Sequence, residues 1–534
     1  SYGFTINANE AGKIFNITGS AVTLQNIKFI NGWVKGSGAA VYCEGADLTI
    51  INCTFIDNYA YGNNSMGGAV YFIGDKLTVD NSKFHNNTAD EDGGAVYVKG
   101  LDCKIYNSTF TDNTAGDDGG AILWEGARGL IYNSTFTSNR GVGRNGAHSS
   151  GGAINLVGDY SVVEKSKFDG NTADINGGSI YASGNYVNIT DSTFTNSNVT
   201  HTKENDYAHG GGAIYIEGHD TNIINSTFNQ TNARVGGVIY VQGEFAAIID
   251  STITNSYAVT GGAVYIDGQH ASVINSSFTN TDAKTTNTFV TDNKGGAIYI
   301  LGNYTTIEGS NFTRASAYQG GILYLQGQYC NVINSSLDHG YSYLEGGAYY
   351  STGTDSNVTG SNFTNNTAGE NGGAVYSTGS YCIVSNSNFT DNLAELSGGA
   401  LYWYGGTNSK YNTVDGCIFT NNTAHGNTSN SAITRGGGAI YWSEGGQYDT
   451  IKNSNFYYNS VQSTIDQKVS GGAVLWDKSY HALVDNCIFV GNFITTNGDG
   501  GTGASAVLAQ GGAMYLRPNA NYTVRDCIFV HCSS

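Results

Sequence analysis

Proline occurs once in 534 residues and methionine twice, and charged residues make up only 13% of the chain. Low charge with 40% hydrophobic residues excludes a disordered chain. No stretch approaches the roughly 18 apolar residues of a membrane span, and no 3.6-residue periodicity supports a helical solenoid. Among nine cysteines there is no CxxC pair and no metal-site spacing. Basic residues are scarce, 24 against 43 acidic, and the net charge of -19 is spread along the chain. Such a surface repels phosphate backbones, so a nucleic-acid partner is excluded. The chain opens at Ser1 without a signal peptide and stops at Ser534 soon after a repeat phenylalanine, which predicts a segment of a longer protein.

What is abundant is glycine, 75 residues, and tyrosine, 37. They sit in a repeated sentence. Gly67 to Tyr71 leads to Phe84, Gly93 to Tyr97 leads to Phe110, and Gly261 to Tyr265 leads to Phe278. About 17 such units follow one another, the least perturbed every 25 or 26 residues or so, which is the size of one solenoid unit. Val96 and Val98, or Ile214 and Ile216, alternate with Tyr or Ala at the period of a strand. A glycine such as Gly100 turns the chain, and a second short strand follows. Three residues before each phenylalanine stands Asn, Asp or Gly, as at Asn81, Asp191 and Gly309, which predicts a left-handed corner. Lys165 is the exception. Next comes a small residue, Ser82 or Ser108, replaced by Cys53, Cys417, Cys487 and Cys527, facing the same way as the phenylalanine. Three residues beyond the phenylalanine an asparagine recurs, as at Asn58, Asn87, Asn113 and Asn366.

Three short strands and constant length describe one coil of a parallel β-helix. The fold predicted is all-β: a single solenoid of about 17 coils, on the order of 80 Å long at about 4.8 Å per coil. Residues 1–37 form an entry coil, 38–397 the regular coils, and 398–534 coils with longer insertions, ending within a repeat. Insertions at 137–150, 195–210, 279–294, 420–436, 457–470 and 490–510 all fall at one corner and emerge along one edge. That edge is either a working surface or a corner that tolerates length.

The words Gly93-Gly94-Ala95-Val96 and Phe110-Thr111-Asp112-Asn113 resemble the repeats of chlamydial polymorphic outer-membrane proteins. The fuller phrases Ile14-Phe15-Asn16-Ile17-Thr18-Gly19 and Asn107-Ser108-Thr109-Phe110-Thr111-Asp112-Asn113-Thr114-Ala115 resemble the adhesin-like proteins of methanogenic archaea. That resemblance implies a right-handed hand for the helix, an extracellular cell-surface location, and a role in attachment.

If the aliphatic residues face inward, alternation puts tyrosine outward. Tyr181, Tyr215, Tyr240, Tyr265, Tyr299, Tyr324, Tyr350, Tyr376, Tyr402 and Tyr441 then form an exposed ladder, the candidate ligand-binding face. Stacking on sugars, lateral contact with another rod and plain cross-strand packing are all open to it. Asp90, Glu91 and Asp92 precede one diglycine and Asp117 and Asp118 the next, a weak calcium candidate; no other cofactor is expected. Cys487 and Cys527 share a column in neighbouring coils, at a spacing that allows a disulfide. Asn107, Asn133, Asn225 and Asn365 lie in sequons and are candidates for N-glycosylation, although corner asparagines create sequons automatically.

The parallel β-helix also carries polysaccharide lyases and hydrolases, so the fold does not settle function. Clustered strand-borne carboxylates are not evident, and His201, Glu204, Asp206 and His209 gather only in a polar loop. The sequence therefore points to a protein that is not an enzyme, an adhesin rod whose partners are glycans or surface proteins of another cell. The alternatives are a structural surface or filament protein that self-associates through its tyrosines, and a carbohydrate-active enzyme or tailspike-like depolymerase.

Overall fold

The computed structural model describes residues 3–144, 148–200, 210–284, 291–406, 409–426, 435–443, 445–463, 468–477, 480–496, 509–517 and 521–534. The chain divides into two compact units, Ser1–Ala258 with Ala263–Gly268, and Val259–Gly262 with Gln269–Ser534. Within each unit the described elements are parallel strands stacked in register, the all-β parallel β-helix that the repeat predicts.

In the first unit the strand after each diglycine pairs with its counterpart one coil on, Val96 opposite Ile122 and Val98 opposite Trp124. The second strand does likewise, Ile105 opposite Ile131, and the third places Phe110 opposite Phe136. The coil also has a fourth, two-residue strand. Thr88–Ala89 pairs with Thr114–Ala115 just past the asparagine column, too short to stand out as an alternation. In the second unit, strands at the ends of the last insertions, Arg435–Gly436, Val469–Ser470 and Ala509–Gln510, form a small extra sheet.

The diglycine is explained by two close approaches. Gly67 has φ +62°, and a Cβ there would lie 2.2 Å from the Val70 carbonyl oxygen. On Gly68 it would lie 2.2 Å from the Gly94 oxygen of the next coil. Neither position has room for a side chain. The corner before the phenylalanine is left-handed as predicted, with φ +48° at Asn107 and +51° at Asp191. Lys165 departs from the residue pattern and not from the conformation, with φ +50°.

The core is the phenylalanine and aliphatic columns. Phe84 and Phe110 stack at 4.7 Å and Phe110 and Phe136 at 4.8 Å, fully buried. In the second unit Phe363 and Phe389 repeat this at 4.8 Å. Beside them runs a buried asparagine ladder. Asn113 Oδ1 accepts from the Asn87 backbone N–H and from Asn87 Nδ2, both at 3.0 Å. Its own Nδ2 donates to the Phe84 carbonyl at 3.1 Å and to Asn139 Oδ1 at 2.9 Å. A buried amide linking three coils is satisfied only while every member is present. Asn113→Ala is expected to cost about 1–3 kcal/mol in urea unfolding, because it orphans buried partners. Asn107→Gly, at the exposed left-handed corner of the same coil where φ is +48°, is expected to cost under about 0.5 kcal/mol.

Candidate functional site

The tyrosine ladder is the first site to place. On each strand these side chains alternate with the buried aliphatics, and the structure corrects their exposure. Tyr215, Tyr240, Tyr299, Tyr324, Tyr350, Tyr376, Tyr402 and Tyr441 retain only 4–9% of their accessible surface, while Tyr181 and Tyr265 are half-buried. Two things hide them. The rings stack face to face along each unit, 4.6 Å between Tyr215 and Tyr240 and 5.0 Å between Tyr299 and Tyr324. The residue before the diglycine folds over them: Val235 packs with Tyr215 and Tyr240, flanked by Tyr181 and Tyr265. In the second unit Lys294 places its ammonium 5.1 Å from the Tyr324 ring centre. Burial holds the phenols of Tyr240, Tyr324 and Tyr402 up at about 12. Stacked faces are not available to a sugar ring.

The phenol hydroxyls reach further. Tyr181 donates to Glu217, and Tyr215 donates to Gln242 Oε1 at 2.7 Å. Glu217 and Gln242 line an open groove of ≈ 630 Å³ in the first unit, with Asn185, His219, Asp220, Glu244 and Phe245. These residues come from three successive coils at the turn that follows the tyrosine strand. His219 Nδ1 lies 2.7 Å from Asp220 Oδ2, and the His219 backbone N–H donates to Asn185 Oδ1 at 3.1 Å. With the carboxylate as acceptor, Nδ1 carries the proton and Nε2 is the ring nitrogen left to face a ligand. The His219 ring stands edge-on to Tyr186 at 5.2 Å, and Phe245 is half exposed at 50%. The groove thus combines aromatic edges, carboxylates, carboxamides and an imidazole. It was missed from sequence because its residues come in three short groups, one per coil, that belong to no motif. The one signal was a break in the turn column, where Tyr160 and Tyr186 are followed by Asp220 and then Phe245.

The acidic corner is built differently from a cation site. Asp92 Oδ1 accepts the Asp118 backbone N–H at 3.1 Å, and Asp118 Oδ1 accepts that of Ser150 at 2.7 Å. Asp90 accepts from the Tyr59 hydroxyl at 2.6 Å and pairs with Arg144. Among the described residues no three His, Cys, Asp or Glu side chains converge on one point; of the five acidic residues, Asp90, Asp92 and Asp118 are engaged in this hydrogen bonding, and Glu91 and Asp117 lie beside them in sequence. The Cys487–Cys527 disulfide is not formed; both are free thiols. Each turns onto the carbonyl two residues back, Cys487 to Asp485 at 3.2 Å and Cys527 to Arg525 at 3.1 Å, as the serines of that column do. Asn107, Asn133, Asn225 and Asn365 are exposed. Three of them donate along an outer ladder, Asn133 to Asn107 at 2.8 Å, Asn107 to Asp80 at 2.9 Å and Asn225 to Asp191 at 2.6 Å. His201, Glu204, Asp206 and His209 lie outside the described residues.

A family model described as a right-handed β-helix region matches residues 39–228 and 236–419. No curated protein matches the chain. Similar solved structures include a PL6 alginate lyase in complex with a trisaccharide, with 12% identity, TM-score 0.38, and coverage of 80% of this chain and 82% of that one. A mannuronic acid specific polysaccharide family 6 lyase from human gut microbiota has 9% identity, TM-score 0.34, and coverage of 76% and 87%. DFA-IIIase from Arthrobacter chlorophenolicus A6 in complex with GF2 has 13% identity, TM-score 0.33, and coverage of 71% and 83%. At this level of likeness none of them assigns a substrate or a site to this chain. The expectation that the chain is not an enzyme is corrected to this extent: these three similar structures are of enzymes, and the fold they share with the chain does not exclude activity. Glu217, Asp220 and Glu244 line one groove with His219, and Asp220 contacts the imidazole directly.

Proposed function

The chain belongs to the right-handed β-helix family, and on that scaffold we propose an extracellular glycan-binding protein of the cell surface, an adhesin that holds saccharide chains in the groove at His219 and Phe245. The observation that carries this reading is the groove's composition. Phe245 offers apolar surface to the C–H face of a sugar, while Asn185, Gln242 and the carboxylates supply acceptors and donors for its hydroxyls. Glu217, Asp220 and Glu244 make the groove acidic, so it favours neutral or amino sugars over polyuronates. Attachment to another cell follows from surface display of such a site.

A second reading shares the groove. His219, held in one tautomer by Asp220, is placed to move a proton at Nε2, and neighbouring carboxylates supply an acid or base. Cleavage of the bound chain is therefore scored with binding.

The test is retention of the protein on a panel of neutral, amino and uronic polysaccharides, with release of reducing ends measured in the same samples. Phe245→Ala is expected to weaken retention about tenfold, the worth of one aromatic contact of about 1.4 kcal/mol, with thermal unfolding unchanged. Cleavage that disappears in His219→Gln while retention persists would establish the enzyme. Retention indifferent to Phe245→Ala, Asp220→Asn and Glu217→Gln would remove the groove from the account.

A further inference from the structure

The second unit carries its own aromatic column, at the turn between the tyrosine strand and the next strand. Tyr304 stacks on Tyr329 at 5.0 Å with planes 6° apart. After one coil Tyr381 stacks on Tyr411 at 5.4 Å, and Tyr411 on Tyr448 at 5.1 Å. The coil between holds Asp355. All three belong to one register position: the Tyr329, Asp355 and Tyr381 backbone N–H groups donate to Thr354, Ser380 and Lys410 respectively, at 2.9–3.0 Å, and φ is +57°, +53° and +59°.

Rings in this conformation are unusual. Left-handed backbone disfavours a bulky residue and suits Asn, Asp or Gly, which is what the corner before the phenylalanine uses. Here tyrosine is held at it coil after coil, with its ring outside: Tyr304, Tyr329, Tyr381, Tyr411 and Tyr448 are 43–46% exposed. Packing of a core does not account for them, and residues kept in costly conformations on a surface point to use.

We propose that Tyr329, Asp355 and Tyr381 form a clamp for a quaternary ammonium head group. Tyr329 is stacked on its Tyr304 side and Tyr381 on its Tyr411 side, so their other faces look toward Asp355 across about two coil spacings, roughly 10 Å. A tetrahedral cation midway sits about 5 Å from each ring centre, inside the ~6 Å reach of a cation–π contact. The same point lies beside Asp355, whose carboxylate would pair with the cation. A tightly hydrated sodium ion gains little from aromatic faces, whereas a methylated ammonium is weakly hydrated and fits the gap. The corresponding place in the first unit is already filled, since His219 leans on Tyr186 and bonds Asp220. At Asp355 the preceding residue is Thr354, too short to do the same.

The test is calorimetric titration of the whole chain with choline, and with dimethylbutanol, its neutral isostere, at fixed ionic strength. Saturable choline binding at one site is expected, with no binding of the isostere. Asp355→Asn is expected to weaken choline about tenfold, one buried-face charge contact. Asp355→Tyr completes the aromatic column, so it is expected to abolish binding while holding or raising the melting temperature. Equal binding of the isostere, no saturable choline binding, or undiminished binding by Asp355→Tyr would each overturn the proposal. Sedimentation with phosphatidylcholine vesicles, lost in Asp355→Tyr, would assign the head group to a lipid; choline binding without sedimentation would assign it to a soluble or glycan-borne source. Neither variant touches the groove at His219, so the two sites fail separately.

Discussion

Tyr240→Ser is expected to destabilise the first unit by about 3–5 kcal/mol, the cost of truncating a buried aromatic residue. Its ring is sandwiched between Tyr215 at 4.6 Å and Tyr265 at 4.9 Å and covered by Val235. Serine leaves a cavity between two rings that the backbone spacing prevents from closing, because neighbouring coils are fixed by the strand pairing of Ile239 with Ile214 and Val264. The measurement is urea unfolding followed by circular dichroism. Val235→Ala is the companion variant: it thins the cover without breaking the stack, and is expected to cost about 1–3 kcal/mol. A loss below about 1 kcal/mol for Tyr240→Ser would mean that the ladder faces solvent, as alternation alone suggests. Such a result would return the tyrosine faces to the list of ligand surfaces.

Stability is expected to fall as pH rises from 5 to 8. Burial pushes the Asp92 carboxyl up to about 6 and that of Asp118 up to about 7, helped by the negative charge of Asp117 and, at Asp92, of Glu91 and Glu125. Above the unfolded value near 4, the native state keeps protons that the unfolded chain has released. Stability therefore declines with pH in this window. The contribution is fully present below about pH 4 and is lost as pH passes through about 6 and 7. At 1.36 kcal/mol per unit, reduced because both groups are partly hydrated, the two together amount to about 2–4 kcal/mol between pH 5 and 8. Asp92→Asn with Asp118→Asn keeps acceptors for the Asp118 and Ser150 amides and removes these two titrations, so its melting temperature is expected to be much flatter over the same range. A wild-type profile equally flat would show that the strip is solvated. In this strip the Asp92 and Asp118 carboxyls each accept a backbone N–H of the next coil.

How far the molecule was legible depends on how far apart its partners lie. Phe84, Phe110 and Phe136 could be stacked on paper because identical residues one repeat apart must meet in a solenoid of constant coil length. The left-handed corners at Asn107 and Asp191 were legible for a local reason, since those residue types tolerate positive φ. The burial of Tyr240 was not. Alternation gives the direction of a side chain, but the cover, Val235, reaches it from the preceding corner, where coil lengths vary and sequence offers no period. The fourth strand at Thr114–Ala115 was hidden because two residues cannot display an alternation.

The groove shows the same division more sharply. Phe245, Asp220, His219 and Asn185 are brought together by strand pairing across coils that differ in length, so no fixed spacing announces them. By itself, sequence determined the coil, its inward columns and its corners, because these repeat and depend on steric preference and burial of neighbours one turn away. Only the tertiary structure decided which outward residues are accessible, because accessibility depends on side chains arriving from other turns and from corners of variable length. Tyr240, pointing outward and yet buried by stacked rings about 25 residues away and by Val235 from the corner before its strand, and Asp355, flanked by two ring faces from neighbouring coils, owe their surroundings to packing that no repeat period displays.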